Sequence, residues 1–250
     1  MKGKRGALHG QVALVTGAGK RIGRAVALAL AGEGATVAVH YHESAGDAQR
    51  VTALIRRRGG NAEIFGANLS NDAERVELVH QVNRTLGTVR ILINSAARFD
   101  KGTFEDTSLE EWDANFAVNL KAVFHLSQLM AAQQNGRVRG NIISFTDWRG
   151  LRPGSDHFAY TVTKAALIAM TEAMALALAP RIHVNALALG AILPPPGATA
   201  AKIEQLIEET PLKQFGSPRD VTNAVIYLLT AGTYITGAVI PIDGGRRLTR

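Results

Sequence analysis

Cysteine is absent from this chain of 250 residues. Its absence excludes disulfide scaffolds, thiolate metal sites and cysteine nucleophiles, and it favours a cytosolic setting without requiring one. Long apolar runs are also missing. The longest, such as residues 25–31, fall far short of the roughly 20 residues a membrane span needs. The start, Met1-Lys-Gly-Lys-Arg5, is basic, but Val12-Ala-Leu-Val15 is too short for a signal-peptide core. No export is therefore expected, and the location reads as cytoplasmic. Aromatic residues make up only 6% of the chain, and no basic stripe is interleaved with them. Nucleic-acid binding is thus the weaker reading of a net charge of +7, which equally suits an anionic cofactor. Much of that charge sits at the ends, in Lys2, Lys4, Arg5, Arg246, Arg247 and Arg250. The chain is nevertheless 46% hydrophobic with 20% charged residues, which rules out wholesale disorder and gives ample core.

No repeat, low-complexity tract or linker divides residues 1–250, so one domain is expected. Short β-rich apolar runs recur at 12–16, 36–41, 62–67, 89–94, 141–145, 182–188 and 238–242. Helical patterns lie between them at 22–33, 44–58, 71–86, 108–134, 158–179 and 218–230. Runs apolar on both faces suit buried, parallel strands, and the helices supply the crossovers. The rhythm predicts an α/β fold: one doubly wound domain with a mostly parallel seven-stranded sheet and helices on both faces. Segment 193–212 breaks it, opening with Pro194-Pro195-Pro196-Gly197 and turning helical over 199–209. A substrate lid and a plain surface loop both fit that insert.

The first strand runs into Thr16-Gly17-Ala18-Gly19-Lys20-Arg21-Ile22-Gly23. Glycines permit a tight turn and close approach to a pyrophosphate, and the following helix offers free N–H groups. Lys20 and Arg21 lie at that helix start, where cations oppose the dipole unless an anion is bound. The second strand ends in His40-Tyr41-His42-Glu43-Ser44. An NAD site usually carries a carboxylate there; Tyr41 holds the position instead. His42 and Ser44, with Lys20 or Arg21, suit a 2′-phosphate, so NADPH is favoured, although Glu43 would repel one.

Tyr160 and Lys164 fall four residues apart in a helical stretch and share a face. An ammonium there is expected to lower the tyrosine pKa from about 10 toward working pH, giving a tuned proton donor. Asp147 and Asn94-Ser95-Ala96 close the fifth and fourth strands, at the carboxyl ends where α/β sites form. Asn119 lies inside an apolar helix, where its amide needs a partner or water.

The glycine turn, Asn94-Ser-Ala-Ala97, Asn119, the Tyr160-to-Lys164 pair and Asp243-Gly-Gly245 occur together and in order. The chain resembles short-chain dehydrogenases/reductases over essentially its whole length. The resemblance implies a Rossmann fold, a homodimer or homotetramer, and Tyr160 as acid/base. It also implies that Lys164 binds the nicotinamide ribose and that Asn119 supports a proton-relay water. Two departures narrow it: Asp147 stands where most members have serine, and Arg21 replaces the middle glycine of the turn. With His40-Tyr41-His42 and Ser44, both resemble pteridine reductases and dihydromonapterin reductases. In that group the arginine contacts cofactor phosphate and pterin, and an aromatic residue, here Phe99, sandwiches the pterin against nicotinamide.

The expected cofactor set is Gly17, Lys20, Arg21, Ile22, Tyr41, His42, Ser44, Asn68, Leu69, Ser95, Ala96, Tyr160, Lys164 and Gly190. The expected substrate set is Arg21, Phe99, Asp147 and Tyr160, with Asp147, Tyr160, Lys164 and Asn119 catalytic. Asn68 stands for an adenine-contacting aspartate, Ser95 for a second asparagine, Leu189-Gly190 for Pro-Gly, and Glu43 for a phosphate-binding arginine. The expected reaction is NADPH-dependent reduction of a dihydropterin, with dihydrofolate as a further candidate. No metal, nucleic acid or membrane takes part in this reading. The alternatives are a carbonyl reductase of the same family, acting on a 3-oxoacyl thioester or other ketone, and a catalytically silent NADP(H)-binding regulator.

Overall fold

A computed structural model describes residues 6–134 and 139–249; Lys2, Lys4, Arg5 and Arg250 lie outside them. The strands are β1 (Val12–Val15), β2 (Thr36–Tyr41), β3 (Asn61–Gly66), β4 (Val89–Asn94), β5 (Gly140–Asp147), β6 (Ile182–Leu189) and β7 (Val239–Ile242). They form one sheet in the order β3-β2-β1-β4-β5-β6-β7, and every pairing is parallel. The order reverses between β1 and β4, and at such a switch point the loops part to leave a crevice.

The helices are α1 (Arg21–Gly32), α2 (Ala45–Arg57), α3 (Asp72–Leu86), α4 (Leu109–Phe116) and α5 (Ala122–Ala131). They continue as α6 (Trp148–Leu151), α7 (Phe158–Leu178), α8 (Ala200–Glu208) and α9 (Pro218–Thr230). Strand alternation splits the core into two layers. Ala13, Val15, Val37, Val39 and Ile93 pack with Val26 and Leu30 of α1, Val51 and Ile55 of α2, and Val225 of α9. Val12, Leu14, Ala38 and Leu92 pack with Leu78 and Val82 of α3, Leu126 of α5 and Ala175 of α7. Fully burying one such aliphatic side chain contributes about 1.5–3 kcal/mol, so each layer anchors its helices firmly.

The expected strands and helices all form, with ends shifted by one or two residues except at 108–134. There the continuous helix is interrupted by a wider π turn over Ala117–Lys121 and ends at Ala131. Two features escaped sequence reading. The four-residue α6 follows Asp147 directly and is too short to show a helical period. Helix α7 has 21 residues and is apolar enough, by length and composition, to cross a membrane. It buries Tyr160, Lys164, Leu167 and Ala175 and packs on β5 and β6, while other apolar residues such as Leu176 stay exposed.

Candidate active site

The crevice begins at the turn between β1 and α1. Gly17 has φ +63°, and a Cβ there would meet Ala96 Cα at 3.1 Å. A Cβ on Gly23 would meet the Gly17 carbonyl oxygen at 2.3 Å, so this turn and helix fit only as glycine. Arg21 also has positive φ, +50°, a conformation that favours glycine; a non-glycine residue holds it at a cost of order 1 kcal/mol or more. The Thr16 hydroxyl accepts from the N–H groups of Ser95 and Ala96 at 2.9 and 3.0 Å, binding the end of β4 to the turn.

The two cations of the turn do not stand unanswered. Lys20 Nζ lies 3.1 Å from Asp47, and the Arg21 guanidinium donates to the Pro194 carbonyl at 3.2 Å and the Leu193 carbonyl at 3.3 Å. Protein groups thus relieve the clash with the helix dipole, and that conflict by itself no longer demands a bound anion. Arg21 instead links the turn to the start of the 193–212 insert, whose helix is α8. Ile22 is half-buried against the core beneath the turn.

At the end of β2, Tyr41 is half-buried and a Cβ on Gly66 would touch its ring at 3.0 Å. His42 and Glu43 are exposed beside it, 4.0 Å apart. Ser44 Oγ lies near Gly19, within 3.3 Å of where a Cβ would stand. The Asn68 carboxamide oxygen accepts from Ser70 N–H at 3.0 Å and its hydroxyl at 2.7 Å, forming a turn, and Leu69 is buried. Gly190 sits hard against Asp243, whose Cα would be 2.6 Å from an added Cβ.

Opposite, β5 and α7 bring together Asp147, Tyr160 and Lys164. Asp147 ends β5 and caps α6, its Oδ1 accepting the Arg149 N–H at 2.9 Å. Its Oδ2 accepts from the Tyr160 hydroxyl at 3.0 Å. Burial raises the Asp147 pKa, opposed by the Arg149 N–H and guanidinium, the Tyr160 hydrogen bond and the Lys164 charge. Tyr160 is raised well above its ordinary value, first by burial and then by the adjacent Asp147 charge. This corrects the expectation that Lys164 lowers it. Lys164 Nζ donates to the Phe145 carbonyl at 2.7 Å and stands 5.4 Å from the centre of the phenol ring. Lys164 itself is pushed down to about 8 by burial, with Asp147 pulling the other way.

Asn119 lies in the π turn, fully buried, and its amide is satisfied by protein. It accepts from Arg98 N–H at 2.8 Å and donates to the Arg98 carbonyl at 3.1 Å and to Thr163 at 3.2 Å. A π turn breaks the regular ladder and is frequent at functional sites. Here it locks the loop after β4 to α7.

That loop carries Phe99, which is 50% exposed. Its ring stands edge-to-face with Tyr160 at 4.7 Å and stacks on His157 at 4.0 Å. The Arg149 guanidinium lies 5.8 Å from the Phe99 ring centre and 4.8 Å from Trp148, and it donates to Asp156 at 2.9 Å. Sequence reasoning missed Arg149 and His157. The only signal was position, two residues after Asp147 and three before Tyr160. The structure therefore brings Phe99, Asp147, Tyr160 and Lys164 into one cluster, with the glycine turn, Ser95 and Ala96 across the crevice.

Comparison with known proteins bears on fold and family. A family model described as Enoyl-(Acyl carrier protein) reductase matches residues 17–247. A 3-oxoacyl-[acyl-carrier-protein] reductase of Staphylococcus epidermidis is 36% identical over 237 residues, 93% of this chain and 97% of its own length. FolM alternative dihydrofolate reductase 1 from Brucella canis, solved with NADP, superposes with a TM-score of 0.93 at 32% identity, over 98% of this chain and 96% of that one. A short-chain dehydrogenase/reductase from Serratia marcescens superposes with a TM-score of 0.90 at 33% identity, over 96% and 99%. With a family model matched over residues 17–247 and relatives more than 30% identical over nearly their whole length, the chain belongs to the short-chain dehydrogenase/reductase family.

Proposed function

We propose that the chain is an NADPH-dependent reductase whose substrate is a dihydropterin, reduced to the tetrahydro form. The observation that carries the pterin reading is the 3.0 Å hydrogen bond from Tyr160 to a partly buried carboxylate, Asp147, at the position where the family resemblance implies serine. A serine hydroxyl suits a developing alkoxide. A carboxyl group of raised pKa suits a ring nitrogen that must receive a proton, because it can itself hold one.

The residues fit a dinucleotide. Gly17 and Ala96 approach so closely that nothing larger than glycine leaves the turn intact, and the start of α1 presents unpaired N–H groups. In this reading Gly17, Lys20, Arg21 and Ile22 hold the pyrophosphate; Tyr41, His42 and Ser44 the phosphorylated ribose; and Asn68 and Leu69 the adenine. Ser95, Ala96, Tyr160, Lys164 and Gly190 hold the nicotinamide half. When bound, NADPH supplies a hydride to the substrate C=N carbon. Tyr160 then holds the proton that the nitrogen takes up, and Asp147 orients the phenol and restores its proton. In this reading a planar pterin stacks on the half-exposed Phe99, on the side away from His157, and Arg21 contacts it from the turn. Arg21 also ties the 193–212 segment to the turn, so that segment acts as a lid in this reading. Exposed Leu176 on α7 and Phe124 on α5 are apolar residues that a second copy would cover in a dimer or tetramer.

The FolM neighbours support the pterin substrate. The similarity to 3-oxoacyl-[acyl-carrier-protein] reductases favours a second reading, a ketone or 3-oxoacyl thioester reduced by the same Tyr160 and Lys164. NADPH oxidation measured with dihydrobiopterin, dihydromonapterin, dihydrofolate and an acetoacetyl thioester separates them. Turnover with a pterin is expected; turnover with the thioester alone would overturn the pterin assignment and leave the family membership intact.

A further inference from the structure

His40 belongs to neither the catalytic cluster nor the expected cofactor set, yet both its ring nitrogens are used. Its Nδ1 accepts the Gly17 N–H at 3.1 Å, and its Nε2 lies 3.1 Å from the Ala67 carbonyl oxygen. Only one protonation state satisfies both contacts: a neutral ring, bare at Nδ1 and protonated at Nε2. The backbone repeats the link, since Ala18 N–H donates to the His40 carbonyl at 2.9 Å and Ala67 N–H to the Tyr41 carbonyl at 3.0 Å.

We infer that His40 is a positioning residue for the cofactor: its uncharged imidazole clamps the glycine turn after β1 to the chain leaving β3. The inference rests on the NADPH part of the proposed function and not on the choice of substrate. Ala67 immediately precedes Asn68 and Leu69, so one buried ring ties together two segments that hold different parts of the dinucleotide in the proposed function. The Gly17 N–H is committed to the ring. Gly17 therefore contributes space and turn shape, while phosphate takes its donors from the start of α1. An aliphatic side chain would leave a buried N–H and a buried carbonyl without partners, and the turn would lose its fixed starting geometry. An imidazolium would set one N–H against another. Burial, with a smaller contribution from His42, pushes the ring down to about 4, so it stays neutral across the ordinary pH range.

The experiment compares wild type with His40→Leu and His40→Gln, a glutamine being able to accept and donate at once. NADPH affinity is read by fluorescence titration, and kcat and the NADPH KM on the substrate found active. Leu is expected to raise the NADPH Kd and KM by about tenfold or more while kcat at saturating cofactor changes by less than about threefold, with Gln recovering most of the affinity. Nitrogen-15 NMR of the wild-type cofactor-free protein should show a neutral, Nε2-protonated ring between about pH 5 and 8. An unchanged Kd in the Leu variant, or an Nδ1-protonated or charged ring at neutral pH, overturns the inference. If Leu does not fold, the NMR arm and the Gln variant still decide it. Wild-type protein that binds no NADPH overturns the cofactor reading and this inference with it, whereas the NMR result bears on the clamp alone.

Discussion

The Tyr160 hydroxyl donates to Asp147 Oδ2 at 3.0 Å while the neighbouring Lys164 ammonium is spent on the Phe145 carbonyl. Tyrosine and carboxyl are therefore one proton-holding pair, each raised in pKa by burial. For proton delivery the pair must be loaded, so turnover should be highest on the acid side and fall as pH rises through the raised Asp147 value. Asp147→Ser should move that falling limb to higher pH and cut pterin turnover by about 10²-fold or more, and Tyr160→Phe should cost about 10²–10⁴-fold. The check is a kcat profile against pH for the three proteins; identical profiles for wild type and Asp147→Ser would remove Asp147 from the chemistry.

Lys164 is expected to cost stability. Its folded value, about 8, lies below its ordinary 10.5. Between those values the unfolded chain binds more protons than the folded one, so wild-type stability should rise with pH there, and the burial penalty is fully present below about 8. Lys164→Met should raise stability at neutral pH by about 1–3 kcal/mol, an advantage that fades above about pH 10, while abolishing turnover. Urea unfolding at two pH values tests the sign.

Gly23→Ala brings a methyl group to 2.3 Å from the Gly17 carbonyl oxygen, which is backbone and cannot swing aside. A loss of about 2–3 kcal/mol is expected, together with loss of NADPH binding. Gly32→Ala, on the same helix with nothing within 4 Å of the added Cβ, should leave binding unchanged. Denaturant unfolding and cofactor titration on both variants provide the comparison.

Asn119→Ala strips partners from the Arg98 N–H and carbonyl and from Thr163 inside the fold. It should cost about 2–4 kcal/mol and loosen the loop bearing Phe99. The substrate KM should rise more than the NADPH KM if Asn119 acts mainly through that loop. Equal changes in both would assign it a general role in holding the crevice.

The strands, the glycine turn and the Tyr160-to-Lys164 pair were legible because each has its own pattern: runs apolar on both faces, glycines between strand and helix, and a four-residue spacing. What sequence could not show depends on contacts distant along the chain. Lys164 was expected to act on the phenol through its charge, but the Phe145 carbonyl, 19 residues away, holds its ammonium. Lys20 and Arg21 looked unpaired until Asp47 and the carbonyls of Leu193 and Pro194 came alongside. His40 reads as part of a strand end and of the resemblance to pteridine reductases, but nothing local announces that Gly17 and Ala67 meet its ring.

The interlocks supplied by Thr16 and Asn119 are formed without any atom of Arg21, Phe99 or Asp147. The residues that distinguish a pterin from a ketone in this reading stand on a framework that other side chains hold in place. Those two interlocks would survive exchange of any of the three, whereas the cap on α6 would be lost with Asp147 and the tie to segment 193–212 with Arg21. Under the proposed function, residues 21, 99 and 147 are the positions at which to redirect selectivity by design, with the Thr16 and Asn119 interlocks left in place.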